Sequence, residues 1–211
     1  MEFDFDALSP ADRYKLMVST IVPRPIAWVV TQNEAGLVNA APYSFFNGVG
    51  GDPPLISVSI EARPGGGLKD SAANIARSGQ FVVNLVNNSM AEAMVVTATD
   101  FDPTVSEVVE AGLATTPSTR IAPPRIADSP VAFECERYQT VELPHEHHLV
   151  IGRIVAMHID EAMMENIERL YVDTPKLDLV GRMHGRGWYT RTRERFELPR
   201  HAAQDWKRPP R

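Results

Sequence analysis

The sequence predicts a mainly β protein, an antiparallel β-barrel with added helices. Five to seven short runs rich in β-branched and aromatic residues are mostly joined by short turns. The regular strand-helix alternation and the Gly-x-Gly-x-x-Gly fingerprint of dinucleotide-binding folds are missing. The 211 residues, 44% of them hydrophobic, suffice for one large domain with a packed core. Together these observations favour an antiparallel barrel over a doubly wound parallel sheet.

The net charge and the cysteine content limit the classes of partner and the cellular compartment that we expect for this protein. The net charge of -6 and the isoelectric point near 5.5 argue against a nucleic-acid partner. Residues 1–6 are acidic and no apolar run follows, so we expect neither a secretory signal nor a membrane span. The single cysteine, Cys135, fits a reducing compartment and predicts a cytoplasmic protein. Its neighbours alternate like a strand, which favours a packing role over a nucleophilic one.

A hairpin near the start of the chain is the centre of the predicted fold. Residues 26–31 form a β-branched and aromatic run, and Gly36 suits a tight reversal into a second strand. In that second strand Pro42 cannot donate to a ladder, and Asn39 and Ser44 are polar where packing would prefer Val or Ile. We therefore expect this strand to be the wall of a site.

Three helices are predicted around the barrel. The segment Ser9-Pro-Ala-Asp12 marks the start of a helix that runs to about Val18 and covers an open barrel end. A second helix is expected over residues 68–77, ended by Gly79, and a third over residues 89–99. The expected buried stripes are Tyr14, Leu16, Met17 and Val18, then Leu68, Ala72, Ile75 and Ala76, then Met90, Ala93, Met94 and Thr97.

The same signals predict the remaining elements. Further strands are expected over residues 55–60, 81–86, 131–138 and 149–158, short helices over 106–112 and 161–168, and an extended path over 116–130. In the first of these strands Ser57 and Ser59 share one polar face. We predict a single domain over residues 1–195 and a loosely ordered, arginine-rich tail over residues 196–211.

A possible anion site precedes the second helix. Three glycines at residues 65–67 free backbone N–H groups near the helix N-terminus, and Arg63, Lys69 and Ser71 add side-chain donors. The same residues also fit a flexible loop followed by a capped helix, and residue types alone do not choose between the two. Asp70 would cap the helix or hold Lys69.

Several motifs follow one another in the order of a known family. They are Arg24-Pro-Ile-Ala-Trp28, Asn39-Ala-Ala-Pro-Tyr-Ser-Phe-Phe46, Asp52-Pro-Pro-Leu-Ile-Ser-Val-Ser59, Lys69-Asp-Ser71, Phe81-Val-Val-Asn-Leu85 and Val180-Gly-Arg-Met183. In this ordered set the chain resembles the flavin reductase-like FMN-binding proteins, over roughly residues 14–192. The resemblance implies a Greek-key split β-barrel that binds FMN.

The resemblance also implies roles for particular residues. The flavin ring would lie along residues 39–44, and the phosphate would be held near Lys69 and Ser71. An edge strand with a bulge is the alternative for residues 39–44. The full set of expected cofactor contacts is Arg24, Asn39, Ala41, Pro42, Tyr43, Ser44, Ser57, Ser59, Arg63, Lys69, Asp70, Ser71, Arg182 and Tyr189.

Arg24 and a histidine cluster complete the candidates. Arg24, fixed between two prolines, would favour negative charge at the flavin's pyrimidine edge, or form an ion pair at the surface or a dimer interface. In an extended strand His145 and His147 share one face and His148 the other, which is a weak zinc pattern, so no metal site is expected. By resemblance, His147 or His148 would act on the nicotinamide side of the flavin.

The implied function is that of an FMN-dependent, flavin reductase-like oxidoreductase. NADH or NADPH would reduce the flavin, and electrons would pass to an acceptor, a redox partner protein or oxygen. We expect a homodimer with each flavin at the subunit interface, because a twin also covers exposed sheet edges. Three alternatives stay open: an FMN-binding electron carrier or sensor, an oxygenase acting on a small organic substrate, and a barrel module without cofactor.

Overall fold

A seven-stranded antiparallel sheet forms the body of the protein, which a computed structural model describes over residues 1–185, 187–200 and 202. The strands are β1 (Ala27–Gln32), β2 (Val38–Tyr43), β3 (Phe46–Gly51), β4 (Pro54–Ile60), β5 (Gln80–Asn84), β6 (Thr115–Thr116), β7 (Arg125–Ile126), β8 (Val131–Leu143), β9 (His147–Ile159), β10 (Met164–Asn166), β11 (Tyr171–Val172), β12 (Val180–Arg182) and β13 (Tyr189–Arg191). The α-helices are α1 (Pro10–Thr20), α2 (Asp70–Ser78), α3 (Ala91–Val96) and α4 (Glu107–Glu110), with 3-10 turns at Asn88–Met90, Glu161–Met163 and Thr174–Leu177. The predicted mainly β class with added helices is confirmed.

The order of strands requires the sheet to roll up. It runs β2-β1-β5-β8-β9-β4-β3, so that β2 and β3 are the two outermost strands. Only Ser44 and Phe45 separate these strands along the chain, a link that spans roughly 11 Å at full extension. The two ends of the sheet must therefore meet, and Ser59 N on β4 donates to Phe45 O in the link at 2.9 Å. Residues of β2 and β4 consequently lie on one wall of a barrel.

Strand β1 is buried on both faces and joins two hydrophobic clusters. Trp28 and Val30 pack with Met94 of α3 in a cluster that covers the outside of the sheet. Ala27 and Val29, which alternate with Trp28 and Val30 along β1, pack with Phe81 in a second cluster. This cluster includes residues of β4, β5, β8 and β9. The second cluster is the barrel interior. The predicted hairpin is confirmed, with β1 and β2 paired from Ala27 opposite Tyr43 to Gln32 opposite Val38.

A single glycine in β9 allows the interior to close. Gly152 lies directly over the ring of Phe81, and a Cβ atom placed at this position would overlap the ring. Cys135 lies beside the same point and is fully buried. Burial, followed by the charge of Glu134, raises the pKa of the Cys135 thiol, which makes it a weak nucleophile.

A buried carboxylate on β8 anchors the loop that covers the sheet. Glu134 is fully buried and accepts hydrogen bonds from Thr119 N and Arg120 N, both at 2.7 Å. His158 Nε2 lies 2.6 Å from Glu134 Oε1, the oxygen that also accepts from Thr119 N. Burial alone would raise the pKa of Glu134, but these hydrogen bonds outweigh it and hold the pKa below its ordinary value. The proline-rich path predicted to be extended is thereby fixed to the barrel.

The helices confirm some predicted faces and correct others. Ser9 caps α1 by accepting from Asp12 N, as predicted, but Tyr14 and Met17 are 52% and 41% exposed, and Val18 is the residue of this helix that is buried. The reason is that α1 is held at the barrel rim by carbonyl groups at its C-terminal end, which bind Arg24.

The second helix is also more polar on its buried side than predicted. In α2 Ala72 and Ile75 are buried as expected, whereas Leu68 and Ala76 are exposed. Ser71 and Asn74 are buried in their place because hydrogen bonds to β1 and β2 satisfy them. Gly79 ends the helix in the left-handed conformation, as predicted.

The segment after β9 differs from the prediction. The helix predicted over residues 161–168 is wrong, because a 3-10 turn is followed by β10, and pairing with β11 outweighs a weak helical preference. Arg191 and Arg193 both bind Asp178 and fix the last residues of the predicted domain, and the loosely ordered tail over residues 196–211 stays a prediction. Of the predicted tail, residues 201 and 203–211 lie outside the described part. In the described ranges, no helix combines the length and apolar character needed to cross a bilayer.

Candidate functional site

Three adjoining cavities form a groove around the end of β2. We name them the α2 cavity, the β4 cavity and the β12 cavity, and their volumes are about 180, 150 and 170 Å³. Pro42 and Tyr43 line all three, so the groove follows the strand that was predicted to be a site wall.

The groove brings together most residues that the sequence nominates. The α2 cavity is lined by Asn39, Ala41, Pro42, Tyr43, Arg63, Lys69, Asp70, Ser71, Thr97, Ala98, Thr99, Asp100, Phe101 and Glu107. The β4 cavity is lined by Tyr14, Pro42, Tyr43, Ser44, Phe45, Ser59, Glu61 and Lys69, and the β12 cavity by Ile26, Pro42, Tyr43, Ser44, Met94, Ala98, Arg182 and Tyr189. Among the predicted residues, Arg24, Ser57, His147 and His148 are not part of these walls.

A buried hydrogen-bond network holds β2 against α2 and α4. Asn39 Oδ1 accepts from Ser71 Oγ at 2.9 Å, and Asn39 Nδ2 donates to Glu107 Oε1 at 2.8 Å. Glu107 Oε2 accepts from Ala40 N at 3.1 Å. Asn39 is thus occupied by protein partners, and it positions Ser71 at the edge of the α2 cavity.

Glu107 is a functional candidate that the sequence did not reveal. It is 7% exposed, and burial raises the pKa of its carboxyl against the lowering effect of its hydrogen bonds. In sequence it looks like an ordinary acid in the first turn of a short helix. Its partner Asn39 is 68 residues away, so no local pattern signals the contact.

Tyr43 buries its hydroxyl behind the wall of the groove. The side chain is 8% exposed, its Oη makes no hydrogen bond of good geometry within the described residues, and Ser71 is close enough to lower the Tyr43 pKa against the effect of burial. Burial raises the pKa of Tyr43 to about 12, so the hydroxyl stays protonated and can donate. A buried hydroxyl without a well-formed hydrogen bond is costly, which makes Tyr43 a candidate residue of the site.

The N-terminus of α2 opens into the α2 cavity. Lys69 occupies the N-cap position, and within the described residues no side chain caps the helix, so the amides of its first turn lack a side-chain partner. Lys69, Asp70 and Ser71 line the α2 cavity, which puts this turn at the cavity wall. Asp70 binds Arg63 at 2.6 Å, which corrects the expectation that Asp70 caps the helix or holds Lys69. Lys69 has no carboxylate partner within the described residues, and it remains as a free cation beside these amides.

The glycine loop before α2 is less free than its composition indicates. Gly66 N donates to Arg63 O, and Gly67 N donates to Glu146 Oε2 at 2.6 Å. The tip of the β8–β9 hairpin therefore already supplies a carboxylate to this loop. The helix amides and Lys69 are what remains for an external anion.

Arg24 is a structural clamp whose donors face inward. It is 5% exposed, and its guanidinium donates to Val18 O, Ile21 O and Met183 O at 2.8, 3.0 and 2.8 Å. Its Nε lies 3.3 Å from Ser44 Oγ. Arg24 thus ties α1, the end of β2 and the segment after β12 together, and it forms no ion pair within the described residues of one chain. An ion pair at a dimer interface stays a prediction.

The histidine cluster lies at the β8–β9 turn and the start of β9, outside the walls of the three cavities. His145 and Glu146 form the turn between β8 and β9, with φ of 63° and 56°, so His145 does not share a strand face with His147. His147 Nε2 lies 3.7 Å from Glu61, which lines the β4 cavity, whereas His148 pairs with Ile60 on β4. Within the described residues, no group of histidine, cysteine or acidic side chains could hold a metal ion.

A larger apolar cavity of about 380 Å³ lies outside the groove. It is lined by Pro23, Arg24, Pro25, Ile26, Phe46, Asn47, Gly48, Ile56, Leu85, Val86, Phe133, Leu179, Val180, Gly181 and Thr192. It adjoins the outermost strand β3, whose residues after Phe46 are exposed.

The sheet is rolled into a split barrel, and its groove has flat walls and hydrogen-bond donors for an anion. These features define a barrel that binds a small molecule. The model of the flavin reductase like domain matches residues 18–178. The chain therefore belongs to the flavin reductase-like family, and the resemblance stated from its motifs is confirmed.

An uncharacterized protein of Deinococcus radiodurans is 42% identical over 97% of this chain and 92% of its own length. The NADH-dependent flavin reductase StyB of Pseudomonas fluorescens is 27% identical over 76% of this chain and 82% of its own.

Solved structures agree with this assignment. The 2-nitrobenzoate 2-nitroreductase NbaA of Pseudomonas fluorescens is 37% identical, with a TM-score of 0.88 over 96% of this chain and 98% of that one. Nitrilotriacetate monooxygenase component B of Bacillus cereus is 32% identical, with a TM-score of 0.88 over 94% and 98%. A Shewanella frigidimarina protein described with a split barrel domain is 23% identical, with a TM-score of 0.81 over 95% and 100%. The expected split-barrel fold is confirmed.

Proposed function

We propose that the groove binds FMN and that the protein is an NAD(P)H-dependent, flavin reductase-like oxidoreductase. The proposal depends on one observation, a continuous groove. It has hydrogen-bond donors for an anion at one end and a flat wall of small residues along the rest. The donors are Lys69 and the uncapped amides of α2, and the wall is Ala41, Pro42 and Ser44. A dianionic phosphate and a planar ring need these two environments.

The residues of the groove fit FMN in charge and in hydrogen bonding. Lys69 and the uncapped amides of α2 would hold the phosphate, whereas the Ser71 hydroxyl donates its proton to Asn39 Oδ1 and would have to turn away from Asn39 to donate to the phosphate. The unpaired Tyr43 hydroxyl would donate to an acceptor on the cofactor, since burial keeps it protonated. When bound, FMN would supply the two-electron redox chemistry, which no side chain here can provide.

A nicotinamide is the electron donor that we propose. A relative described as an NADH-dependent flavin reductase supports this choice. His147, whose Nε2 lies 3.7 Å from Glu61 in the wall of the β4 cavity, and His148 remain our candidates for the nicotinamide side. The acceptor would be a redox partner protein, oxygen or an organic substrate.

We also propose a homodimer with the flavin at the subunit interface. The outermost strand β3 is exposed from Asn47 to Gly51, and the apolar cavity of about 380 Å³ opens beside it. An exposed strand edge next to an apolar surface favours coverage by a second chain. Light scattering during size-exclusion chromatography tests this directly, and a monomer at micromolar concentration would contradict it.

An absorption titration tests the shared premise. Purified protein titrated with FMN should give a saturable, roughly one-to-one change in the flavin spectrum. Oxidation of NADH or NADPH with FMN present should then exceed the rate without protein. A spectrum that never changes would overturn the proposal, and bound flavin without oxidation of either nucleotide would leave an electron carrier or sensor.

A single substitution tests the phosphate end. Lys69→Met removes one charge beside the α2 amides and should weaken FMN binding about tenfold or more, as expected for losing a charged hydrogen-bond donor. Lys15→Met is the matched control, because Lys15 is exposed and binds only Asp12 on α1. Equal FMN affinities of the two variants would show that the FMN phosphate does not bind in the α2 cavity.

Reduction of an organic substrate is the second candidate function. The structure that is 37% identical belongs to a protein described as a 2-nitrobenzoate 2-nitroreductase. If this activity is shared, NADPH or NADH oxidation should depend on an added nitroaromatic compound under anaerobic conditions. Oxidation that is independent of such a compound would favour the flavin reductase.

A further inference from the structure

A chain of buried side chains connects Glu107 on α4 to the first turn of α2. Glu107 accepts from Asn39 Nδ2 at 2.8 Å and from Ala40 N at 3.1 Å. Asn39 Oδ1 accepts in turn from two hydroxyls, Ser71 Oγ at 2.9 Å and Thr31 Oγ1 at 3.2 Å. Glu107, Asn39, Ser71 and Thr31 are all buried, so the protein itself determines which atom donates in each of these hydrogen bonds.

The ionised form of Glu107 sets the direction of these hydrogen bonds. A carboxylate only accepts, so Asn39 turns its amide N–H₂ towards Glu107 and its oxygen towards Ser71. Thr31 Oγ1 accepts from Asn74 Nδ2 at 3.1 Å, so the Thr31 hydroxyl also donates to Asn39 Oδ1. The Ser71 proton is thereby held inside the network. In this state Ser71 lines the α2 cavity but offers no proton to an anion there.

A proton on Glu107 permits the opposite direction. The neutral carboxyl can donate its O–H to Asn39 Oδ1 once the amide has turned over, and its other oxygen still accepts from Ala40 N. Asn39 Nδ2 then donates to Ser71 Oγ and Thr31 Oγ1, whose spacing already suits a hydrogen bond. The oxygen and nitrogen of an amide exchange places when it turns, so no backbone movement is needed. The Ser71 proton is then free to point into the α2 cavity.

We propose that Glu107 is a positioning residue that couples the uptake of one proton to the binding of the FMN phosphate, through Asn39 and Ser71. The proposal rests on the proposed function for the identity of the anion, and it adds a control of its binding. The proton comes from solvent, and it changes Ser71 from a group that donates to Asn39 into one that donates to the phosphate. A lower pH should therefore strengthen FMN binding through Glu107.

The charges around Glu107 favour proton uptake when an anion arrives. Burial, the largest effect, raises the pKa of the Glu107 carboxyl against its hydrogen bonds, and the charge of Asp70 on α2 raises it further. A phosphate dianion in the α2 cavity would act in the same direction as Asp70, because a nearby like charge disfavours ionisation. The other titratable groups lining this cavity, on β2, before α2 and after α3, are Tyr43, Arg63, Lys69 and Asp100.

The pH dependence of FMN affinity tests the coupling. Glu107→Gln offers a donor to Asn39 and an acceptor to Ala40 N at every pH, so it imitates the protonated wild type. It should bind FMN about tenfold more tightly than wild type at pH 8, and the ratio should fall towards one as the pH approaches 5. Comparison at each pH cancels the titration of the FMN phosphate itself. A ratio that does not change with pH would overturn the proposal.

A matched variant controls for the loss of charge. Glu110→Gln removes the same charge from an exposed position of the same helix, α4. Its FMN affinity should follow that of wild type at every pH, because Glu110 lies outside the wall of the α2 cavity. An equal gain in affinity from Glu110→Gln and Glu107→Gln would show a general effect of net charge and overturn the proposal.

A double-mutant cycle separates the coupling through Ser71 from direct repulsion between Glu107 and the phosphate. If Glu107 acts through Ser71, Glu107→Gln should strengthen FMN binding at pH 8 in the wild-type background, and by at most about twofold in a Ser71→Ala background. If Glu107 only repels the phosphate, the gain should be the same in both backgrounds. That result would overturn the proposal.

Calorimetry detects the proton without any substitution. FMN binding to the wild type, measured in buffers of different ionisation enthalpy between about pH 7 and pH 9, should take up as much as one proton. Riboflavin, which lacks the phosphate, should take up none. The absence of proton uptake with FMN at every pH in this range would overturn the proposal.

Sulfate provides a probe that contains no flavin and stays a dianion throughout this range. It should raise the Tm of the FMN-free wild type more at pH 6 than at pH 8, relative to sodium chloride of equal ionic strength, and that of Glu107→Gln equally at both. Equal shifts of the wild type at the two pH values would overturn the proposal. If FMN itself fails to bind, the proposed function fails, and the sulfate comparison still decides the coupling.

Discussion

Glu107 and Glu134 are both buried glutamates, and they differ in how many donors surround them. Glu134, far from the groove, receives two backbone amides, the Thr119 hydroxyl and His158, and its pKa is lowered. Glu107, in the wall of the α2 cavity, receives Asn39 and Ala40, and burial raises its pKa. The first carboxylate is fully compensated and holds the fold. The second is incompletely compensated and stands where a ligand would arrive.

We expect the largest loss of stability from substitution of Glu134, the fully compensated carboxylate. Glu134→Gln puts an amide N–H₂ against the donors of Thr119, Arg120 or His158, and it should lower the free energy of unfolding by about 3 kcal/mol. Urea denaturation measures the loss. FMN affinity of the folded variant should not change, because the residue is remote from the groove. A loss below about 1 kcal/mol would contradict full compensation.

The same substitution in the groove should cost less. Glu107→Gln can keep an acceptor for Asn39 or Ala40 but not for both, and we expect a loss of about 1–2 kcal/mol. The same denaturation series compares the two variants side by side. A loss equal to that of Glu134→Gln would erase the difference between the two regions.

Removal of the Tyr43 hydroxyl should separate stability from binding. Tyr43→Phe deletes a buried group without a partner, so the free energy of unfolding without ligand should stay constant or rise by up to about 1 kcal/mol. FMN binding should weaken about fivefold, the value of one neutral hydrogen bond. Denaturation and FMN titration of the same preparation check both. Lower stability of the ligand-free variant would show that the hydroxyl has a partner inside the protein.

The pH dependence of stability should have opposite signs for the two glutamates. The folded-state pKa of Glu134 is lowered, so its stabilising contribution is present above the ordinary value of 4.5 and is lost as pH falls below it. The folded-state pKa of Glu107 is raised, so its contribution grows as pH falls towards 4.5. Stability differences between wild type and each glutamine variant, measured from pH 7 to pH 3, should therefore change in opposite directions, above pH 4.5 for Glu107 and below it for Glu134. Parallel changes would contradict the two assignments.

Local sequence signals predicted the framework and much of the groove. The β1–β2 hairpin, the Ser9 cap and the Gly79 stop depend on neighbouring residues, so a single sequence suffices to find them. Ordered motifs placed residues 39–44 and residues 69–71 in one site, and the two segments do line the same cavity.

What the sequence did not reveal depends on contacts between distant segments. Glu107 reaches Asn39 across 68 residues, and Arg24 reaches Met183 across 159. Gly67 N in the glycine loop donates to the Glu146 carboxylate, although the composition of this loop predicted free amides. The predicted helix over residues 161–168 failed for a different and local reason, because the short β10–β11 hairpin outweighs the helical preference of these residues.

Gly152 sets a limit on how this barrel can diversify. Every other amino acid would carry a Cβ into the ring of Phe81, so exchange at this position requires a smaller residue at Phe81 first. A lineage can cross that barrier only through an intermediate with a void in its interior, which costs several kcal/mol for a buried aromatic ring. The two positions are thus expected to change together or not at all.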